Sequence, residues 1–258
     1  MRRCTCLWVV WVIVGALPVC YGADTPAKVH HFPAEIMDGP AAAALRKGGA
    51  EVHLSADGLI DSVTLANPRA TDADLAPLAE LAGLESLEIT AAAITDAGLA
   101  NLRGRTSLVR LYLHNVDVTD AGLKHLSGLT DLEALSLQNT KITGKGLAHL
   151  KNLTDLQVLN LAHVPVADDD LAHLEKLTRI ETLSLEGTGV TGAGLAHLAG
   201  LARLRTLNLK DCDVADGDLP QLAGLDNLRM LYVKGTKVTR AYSEKFKEKI
   251  PGLAVFFH

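Results

Sequence analysis

The stretch Leu108–Leu126 reads LVRLYLHNVDVTDAGLKHL, and its pattern decides the fold of most of the chain. It begins with an L-x-x-L-x-L pattern at Leu108, Leu111 and Leu113, and a valine and a Gly-Leu-x-x-Leu pattern follow. Self-similarity at a fixed period of roughly 20 to 50 residues indicates a solenoid, in which each repeat buries its apolar face against its neighbours. The period here is 24 residues, and the first apolar position of successive cycles is held by Ile60, Leu84, Leu108, Leu132, Leu156, Ile180, Leu204 and Leu228.

Each cycle has two halves with different periodicity. Leucine alternates with other residues in the first half, which predicts a short strand with the leucines inward and the intervening side chains toward solvent. The second half, such as Thr119–Leu126, opens with a helix-capping residue and carries leucine at helical spacing, which predicts a short helix. This is the leucine-rich-repeat pattern. We therefore predict an α/β leucine-rich-repeat solenoid, a short right-handed horseshoe with a concave parallel sheet and convex short helices.

The two ends of the repeat array differ from the cycle. Asp-Gly at 57–58 lies between two β-prone runs and predicts a hairpin, and a small capping helix is expected before it at Ala41–Lys47. An amphipathic helix followed by a final edge strand would cover the other end, and its apolar face holds Tyr242, Phe246 and Ile250. The predicted segments are a signal peptide at 1–22, an N-terminal linker and cap at 23–58, leucine-rich repeats at 59–239 and a C-terminal cap at 240–258.

The turn between strand and helix carries a family resemblance. Thr-Asp-Ala-Gly-Leu at Thr95–Leu99 and Thr119–Leu123, and Thr-Gly-Ala-Gly-Leu at Thr191–Leu195, resemble leucine-rich-repeat proteins of the Gly-Ala-Leu-Ala type. Such repeats are related to those of F-box proteins and are abundant among exported bacterial proteins. The resemblance covers Leu59 to Phe257, and it implies a scaffold on which a partner-binding surface is built.

The F-box relationship leaves a second function open. Phe32–Ile36 reads Phe-Pro-Ala-Glu-Ile, which is similar to the opening of the helical module that docks F-box proteins to a ubiquitin ligase. The predicted hairpin already begins by Glu51, however, and leaves no room for that module. A substrate receptor of a ubiquitin ligase is therefore kept only as the alternative, behind an exported binding protein.

Residues 1–22 have the three parts of a secretion signal. Arg2 and Arg3 supply the positive start, Leu7–Leu17 is an uninterrupted apolar stretch, and Cys-Tyr-Gly at 20–22 is a small-x-small cleavage site. The apolar stretch spans about 16 Å as a helix, about half of a bilayer core. The sequence therefore predicts export to the periplasm, the cell envelope or the extracellular space, with no membrane span after cleavage. A retained membrane anchor and lipidation of Cys20 are the alternatives.

Removal of the signal changes the chemistry of the chain. Three of the four cysteines leave with it, so Cys212 stands alone and no internal disulfide is possible. Other cycles place Val or Thr at this position, which predicts a small, buried packing residue. The formal charge shifts from −5 to −7, because two of the 25 basic residues leave and all 30 acidic residues stay. Such a protein gains nothing from the phosphates of nucleic acid, so we expect no nucleic-acid partner.

One histidine position repeats on the predicted convex side. Neutral imidazoles commonly bind metals, which makes such a stripe a candidate metal site. Asn101 and Gln221 fill the same position in neighbouring cycles, however, so the position accepts any polar side chain, and we expect no metal and no cofactor. The four histidines are His125, His149, His173 and His197.

Two aspartate clusters, at 168–170 and 211–218, are compatible with calcium binding. Asp168 and Asp216 stand at helix starts, however, where a carboxylate caps free backbone N–H groups, so capping is the preferred interpretation. The chain has no Gly-rich phosphate loop, H-E-x-x-H zinc motif or G-x-S-x-G nucleophile elbow. We therefore expect a protein that is not an enzyme.

The concave face is formed by the strand residues that alternate with the leucines. Its two ends carry residue types that are enriched in binding hot spots, Arg, Tyr and His at one end and Tyr with Lys at the other. We expect a monomer that binds a protein or an envelope component through this face. A carbohydrate-binding surface is a further alternative, although sugar binding favours several stacked rings and only two tyrosines lie there. The candidate partner-binding residues are Glu88, Arg110, Tyr112, His114, Gln138, Asn160, Glu186, Asn208, Lys210, Tyr232 and Lys234.

Overall fold

The structure is a computed structural model that describes residues 39–56 and 58–258. The predicted signal peptide, Cys20 and Phe32–Ile36 lie outside the described residues. The helices are α1 (Pro40–Lys47), α2 (Asp96–Leu99), α3 (Asp120–Leu123) and α4 (Arg240–Lys247). The strands are β1 (Ala50–Leu54), β2 (Ile60–Leu65), β3 (Ser86–Thr90), β4 (Arg110–His114), β5 (Ala134–Ser136), β6 (Val158–Asn160), β7 (Thr182–Ser184), β8 (Thr206–Asn208), β9 (Met230–Tyr232) and β10 (Ala254–Phe256).

The strands lie side by side in chain order in one sheet. β1 and β2 pair antiparallel, as the predicted hairpin requires, and each later neighbouring pair is parallel. The register follows the repeat, because Leu111 lies beside Leu87 on one side and beside Leu135 on the other. This architecture confirms the predicted leucine-rich-repeat solenoid.

The convex segments are tighter than predicted. Only α2 and α3 contain an α-helical turn, and most of the other convex segments are 3₁₀ helices. A 3₁₀ helix rises about 2.0 Å per residue against about 1.5 Å for an α-helix, so a segment of a short repeat spans the convex side with fewer residues. The described 3₁₀ segments are Asp72–Glu80, Ala100–Leu102, Gly144–Leu150, Asp168–Leu174, Gly192–Leu198 and Asp216–Leu222.

The leucines of both halves form one continuous core. Leu111 and Leu135 from the strands and Leu123 and Leu147 from the convex segments all have 0% exposure. Cys212 belongs to this core, as predicted. Its thiol donates to the Leu185 carbonyl at 3.0 Å, and burial raises the pKa of the Cys212 thiol.

Both ends of this core are covered. Leu45 of α1 is buried at one end. At the other end Phe246 of α4 is buried, and β10 adds a parallel strand beside β9. Ile250 is also buried, although α4 ends before it at Lys247. The burial of Phe246 and Ile250 is what the predicted C-terminal cap requires, and the cap at 240–258 stays a prediction.

Aspartates at the start of the convex segments bind the following repeat, which differs from the predicted capping role. The Asp96 carboxylate accepts hydrogen bonds from the backbone N–H of Thr119 at 2.7 Å and from its Oγ1 at 2.6 Å. Because Thr119 Oγ1 donates its hydrogen to Asp96, its lone pairs are available. The oxygen accepts from the N–H of Ala121 at 3.3 Å and so caps α3. The same aspartate–threonine pairing joins Asp72 to Thr95, Asp120 to Thr143, Asp168 to Thr191 and Asp216 to Thr239.

Candidate functional site

The middle row of the concave face is buried, where the alternation of the strands predicted exposure to solvent. Ser136, Asn160, Ser184 and Asn208 are only 1 to 2% exposed. Neighbouring strands lie about 4.8 Å apart, so the side chains of adjacent strands pack directly against these short ones. The prediction that every outward residue faces solvent is therefore wrong for the centre of the face, and also for Tyr112, His114 and Tyr232 near its ends, which are 9%, 8% and 8% exposed.

Hydrogen bonds satisfy the buried amides of this row. Asn208 Nδ2 donates to Glu186 Oε2 at 2.8 Å and to Ser184 Oγ at 3.2 Å, and its Oδ1 accepts from the N–H of Lys210 at 3.1 Å. Asn160 Nδ2 donates to Gln138 Oε1 at 3.3 Å. A buried amide without partners would be unfavourable, so these contacts give the centre of the face a closed polar floor.

The candidate residues at the β4 end form the first cluster, defined as Glu88, Arg110, Tyr112 and His114. The register places Glu88 beside Tyr112, and the rings of Tyr112 and His114 have centroids 6.2 Å apart. Burial raises the pKa of Tyr112, while Arg110 lowers it and Glu88 raises it further. Arg110 and Glu88 are partly exposed and remain accessible to a partner.

His114 is fixed from the side of β5. Its Nε2 lies 2.7 Å from Ser136 Oγ, and burial lowers the pKa of His114. A serine beside a histidine resembles half of a nucleophilic site, but Ser136 is 1% exposed, so no substrate carbonyl has access to its hydroxyl. The pair therefore positions the His114 ring within the first cluster.

The other end of the face holds the second cluster, which consists of Lys210, Met230, Tyr232, Lys234 and Phe256. The rings of Tyr232 and Phe256 stack with centroids 4.7 Å apart and an interplanar angle of 17°. Lys210 Nζ lies 5.4 Å from the centre of the Tyr232 ring, within range of a cation–π interaction. Met230 is 37% exposed, and its Sδ lies 3.8 Å from the Tyr232 hydroxyl.

Two residues of the second cluster were absent from the sequence-based site. Phe256 follows Tyr232 by one period of 24 residues, so extending the cycle into the C-terminal cap would have identified it. The outward residues of the strands form three rows across the face, and Met230 lies in the first row, which also contains Arg110. The alternation of the strands already predicted that Met230 points outward. Its exposure depends on its neighbours, which the sequence did not show.

Two of the four convex histidines contact different partners. His125 Nδ1 lies 3.1 Å from Arg103 Nη2, and His197 Nδ1 lies 2.9 Å from Glu175 Oε1. Within residues 39–56 and 58–258, no group of three or more His, Cys, Asp and Glu side chains is arranged to hold a metal ion. No helix in this described part is long and apolar enough to cross a membrane.

Comparison with protein-family models and with curated protein sequences gave no match. Solved structures do match. Internalin C2 from Listeria monocytogenes is 25% identical over 78% of this chain and 82% of its own, with a TM-score of 0.62. A second internalin from the same organism is 20% identical over 84% of this chain and 73% of its own, with a TM-score of 0.52. The chain is therefore similar to internalins and has their leucine-rich-repeat fold.

Proposed function

We propose that the protein is an exported, non-catalytic scaffold that binds a protein partner through its concave face. Leucine-rich-repeat folds are in general protein-interaction modules, and the similarity to internalins supports that role here. The observation that carries the proposal is the separation of the two clusters. Arg110 on β4 and Tyr232 on β9 are five strands apart, about 24 Å at the usual strand spacing. A small molecule does not span that distance, whereas a protein surface does.

The composition of the clusters fits protein recognition. Tyrosine and arginine dominate binding hot spots, because they bury a large area and also form directed polar contacts. The floor between the clusters makes its hydrogen bonds internally, so it adds shape and needs no partner groups. The partner would therefore gain most of its affinity at the two ends of the face.

The proposal is tested by affinity capture with crosslinking, followed by titration of the captured protein against variants. Arg110→Ala and Tyr112→Ala should each weaken binding by about thirtyfold, since loss of a hot-spot anchor costs about 2 kcal/mol. The matched control is the pair His149→Ala and His173→Ala on the convex side, which should leave the affinity unchanged. If the histidine pair abolishes binding while the cluster variants bind normally, the concave face is not the site.

Export is the second part of the proposal, and it rests on the features of residues 1–22 alone. Both tryptophans, Trp8 and Trp11, lie in the segment that would be removed. The mature protein should therefore fluoresce through tyrosine only, and its mass should correspond to a chain that begins near Ala23. Detection of Trp8 in the purified native protein would overturn cleavage.

A further inference from the structure

The second cluster spans the three rows of the concave face, and the side chains of each row differ in polarity and charge. Met230 lies in the first row, the Tyr232–Phe256 stack in the second, and Lys210 and Lys234 in the third. The backbone keeps the lysines side by side, because the N–H of Asp211 donates to the Lys234 carbonyl at 2.8 Å beyond the ends of the strands. Rows are about 6.8 Å apart, since alternate residues of a strand advance by two rises of about 3.4 Å.

At this end the third row carries two lysines, Lys210 and Lys234, and one carboxylate, Glu186, so its formal charge is positive. Among the described residues, Lys210 and Lys234 take part in no ion pair, whereas Lys237 on the neighbouring loop pairs with Asp213. The nearby Glu186 carboxylate keeps its negative charge, but it accepts from the Asn208 amide at 2.8 Å and forms no ion pair with Lys210. Two adjacent ammonium groups repel each other unless an anion lies between them, so this row favours a carboxylate.

The first and second rows are apolar and partly open. Met230 and Leu59 are the large hydrophobic residues that the described chain exposes, and only Met230 belongs to the sheet face. Methionine adapts its shape to different partners, and the Tyr232–Phe256 stack offers rigid aromatic edges beside it. These rows therefore favour an apolar side chain rather than a second charge.

We propose that the second cluster binds an extended acidic peptide segment of the protein partner. A carboxylate lies between Lys210 and Lys234, and apolar side chains two and four residues away contact the Tyr232–Phe256 stack and Met230. The match follows from geometry, because an extended peptide also places alternate side chains about 6.8 Å apart. This inference rests on the proposed function and adds the chemistry of the partner to it.

The experiment is a selection of phage-displayed random heptapeptides on the full chain, with the selected peptides then synthesised and titrated by fluorescence anisotropy. The expected sequences carry Asp or Glu two residues from a large apolar side chain. The double variant Lys210→Gln with Lys234→Gln should lower the affinity for these peptides by about tenfold or more, as expected for lost charge-assisted contacts. The matched control is Lys145→Gln with Lys151→Gln, which removes two exposed lysines from the convex side and should change nothing.

The possible outcomes separate this inference from the proposed function. Peptides that depend on Arg110 and Tyr112 but not on the two lysines would overturn the acidic-segment site and leave the concave scaffold intact. Selection of peptides that lack acidic residues would also overturn the acidic-segment site and leave the concave scaffold intact. Failure to select any peptide that depends on either cluster would count against both proposals.

Discussion

The Asp170 carboxylate fills the space that a side chain at Gly144 would occupy, across the junction between two repeats. At the preceding junctions the arrangement is reversed, because the carboxylate comes from the earlier repeat and the later repeat supplies the glycine. Asp120 with Gly146 is one such pair. Each such junction thus holds one carboxylate, supplied from one side or the other. The later repeat supplies the carboxylate at Gly144–Asp170 and Gly192–Asp218, and the earlier repeat supplies it at Asp72–Gly98, Asp96–Gly122, Asp120–Gly146 and Asp168–Gly194.

The hydrogen-bonding partner changes with the source of the carboxylate. Asp120 accepts from the N–H and Oγ1 of Thr143 in the next repeat, each at 2.7 Å. Asp170 instead accepts from the N–H of Ala167 within its own repeat at 2.9 Å, where no hydroxyl is needed. Threonine therefore accompanies one arrangement and alanine the other.

The first prediction is that mutation can convert the Gly144–Asp170 junction into the arrangement found at Asp120 and Gly146. Gly144→Asp alone should destabilise the protein, because its side chain overlaps the Asp170 carboxylate. The triple variant Gly144→Asp, Ala167→Thr and Asp170→Gly should recover most of the loss, because it recreates the arrangement found at Asp120. Urea unfolding of the single and triple variants measures the coupling. Equal losses in both would show that the junction does not follow this rule.

Asp120→Ala should lower the free energy of unfolding, because it removes the carboxylate from a junction whose other residues are unchanged. Two donors of Thr143 lose a charged acceptor, and hydrogen bonds to charged groups contribute about 1.5 to 3 kcal/mol each. We expect a loss of a few kcal/mol in the free energy of unfolding. The control is Asp131→Ala, an exposed aspartate on another loop, which should have little effect.

The second prediction concerns one position shortly after the strands, which adopts positive φ at 24-residue intervals from Ala91 to Gly235. Ala91 has φ of 51°, and glycine fills the same place at Gly187 and Gly235. Alanine is strained there by about 1 kcal/mol, so Ala91→Gly should stabilise the protein by roughly 0.5 to 1 kcal/mol. Ala93→Gly, two residues later and outside the positive-φ region, should destabilise by a similar amount. Thermal unfolding that shows the same sign for both variants would contradict the strain argument.

The third prediction is that Arg105→Leu raises stability. Arg105 stands where other cycles carry a leucine, such as Leu129 and Leu153, and its Nε is buried without a hydrogen-bond partner in the described part of the chain. Leucine would remove that unsatisfied group and extend the apolar row, a gain of about 1 kcal/mol or more. Arg103→Leu is the matched control, because Arg103 is exposed and contacts His125. It should give no gain in chemical denaturation.

The fourth prediction is a pH dependence that arises at His114. Burial lowers the pKa of His114 below the ordinary value of 6.5, so the unfolded chain takes up a proton before the folded one as the pH falls. This contribution to stability is complete above pH 6.5 and is lost as the pH drops below it toward the folded-state pKa. Unfolding free energies at pH 5 and pH 7 should differ less for His114→Gln than for the parent. An unchanged difference would show that other groups cause the acid sensitivity.

The period of the sequence was enough to predict the solenoid, because an apolar pattern that returns every 24 residues has one way to bury itself, by stacking on its neighbours. The same reasoning identified Phe246 as part of the end cover, since a solenoid must close its core. The outward positions of Arg110 and Tyr232 also followed from strand alternation. These features depend on local pattern alone.

Other features needed the neighbouring repeat in space. The partner of Asp96 is Thr119, one repeat later, and a single cycle read by itself indicates only a helix cap. The burial of Asn208 depends on Ser184 and Glu186 beside it, and the exposure of Met230 depends on what its neighbours leave uncovered. The sequence determined which residues face each side, because that depends on the period of the chain. Only the tertiary structure decided which of them are accessible and paired, because exposure and hydrogen bonding belong to groups brought together by stacking.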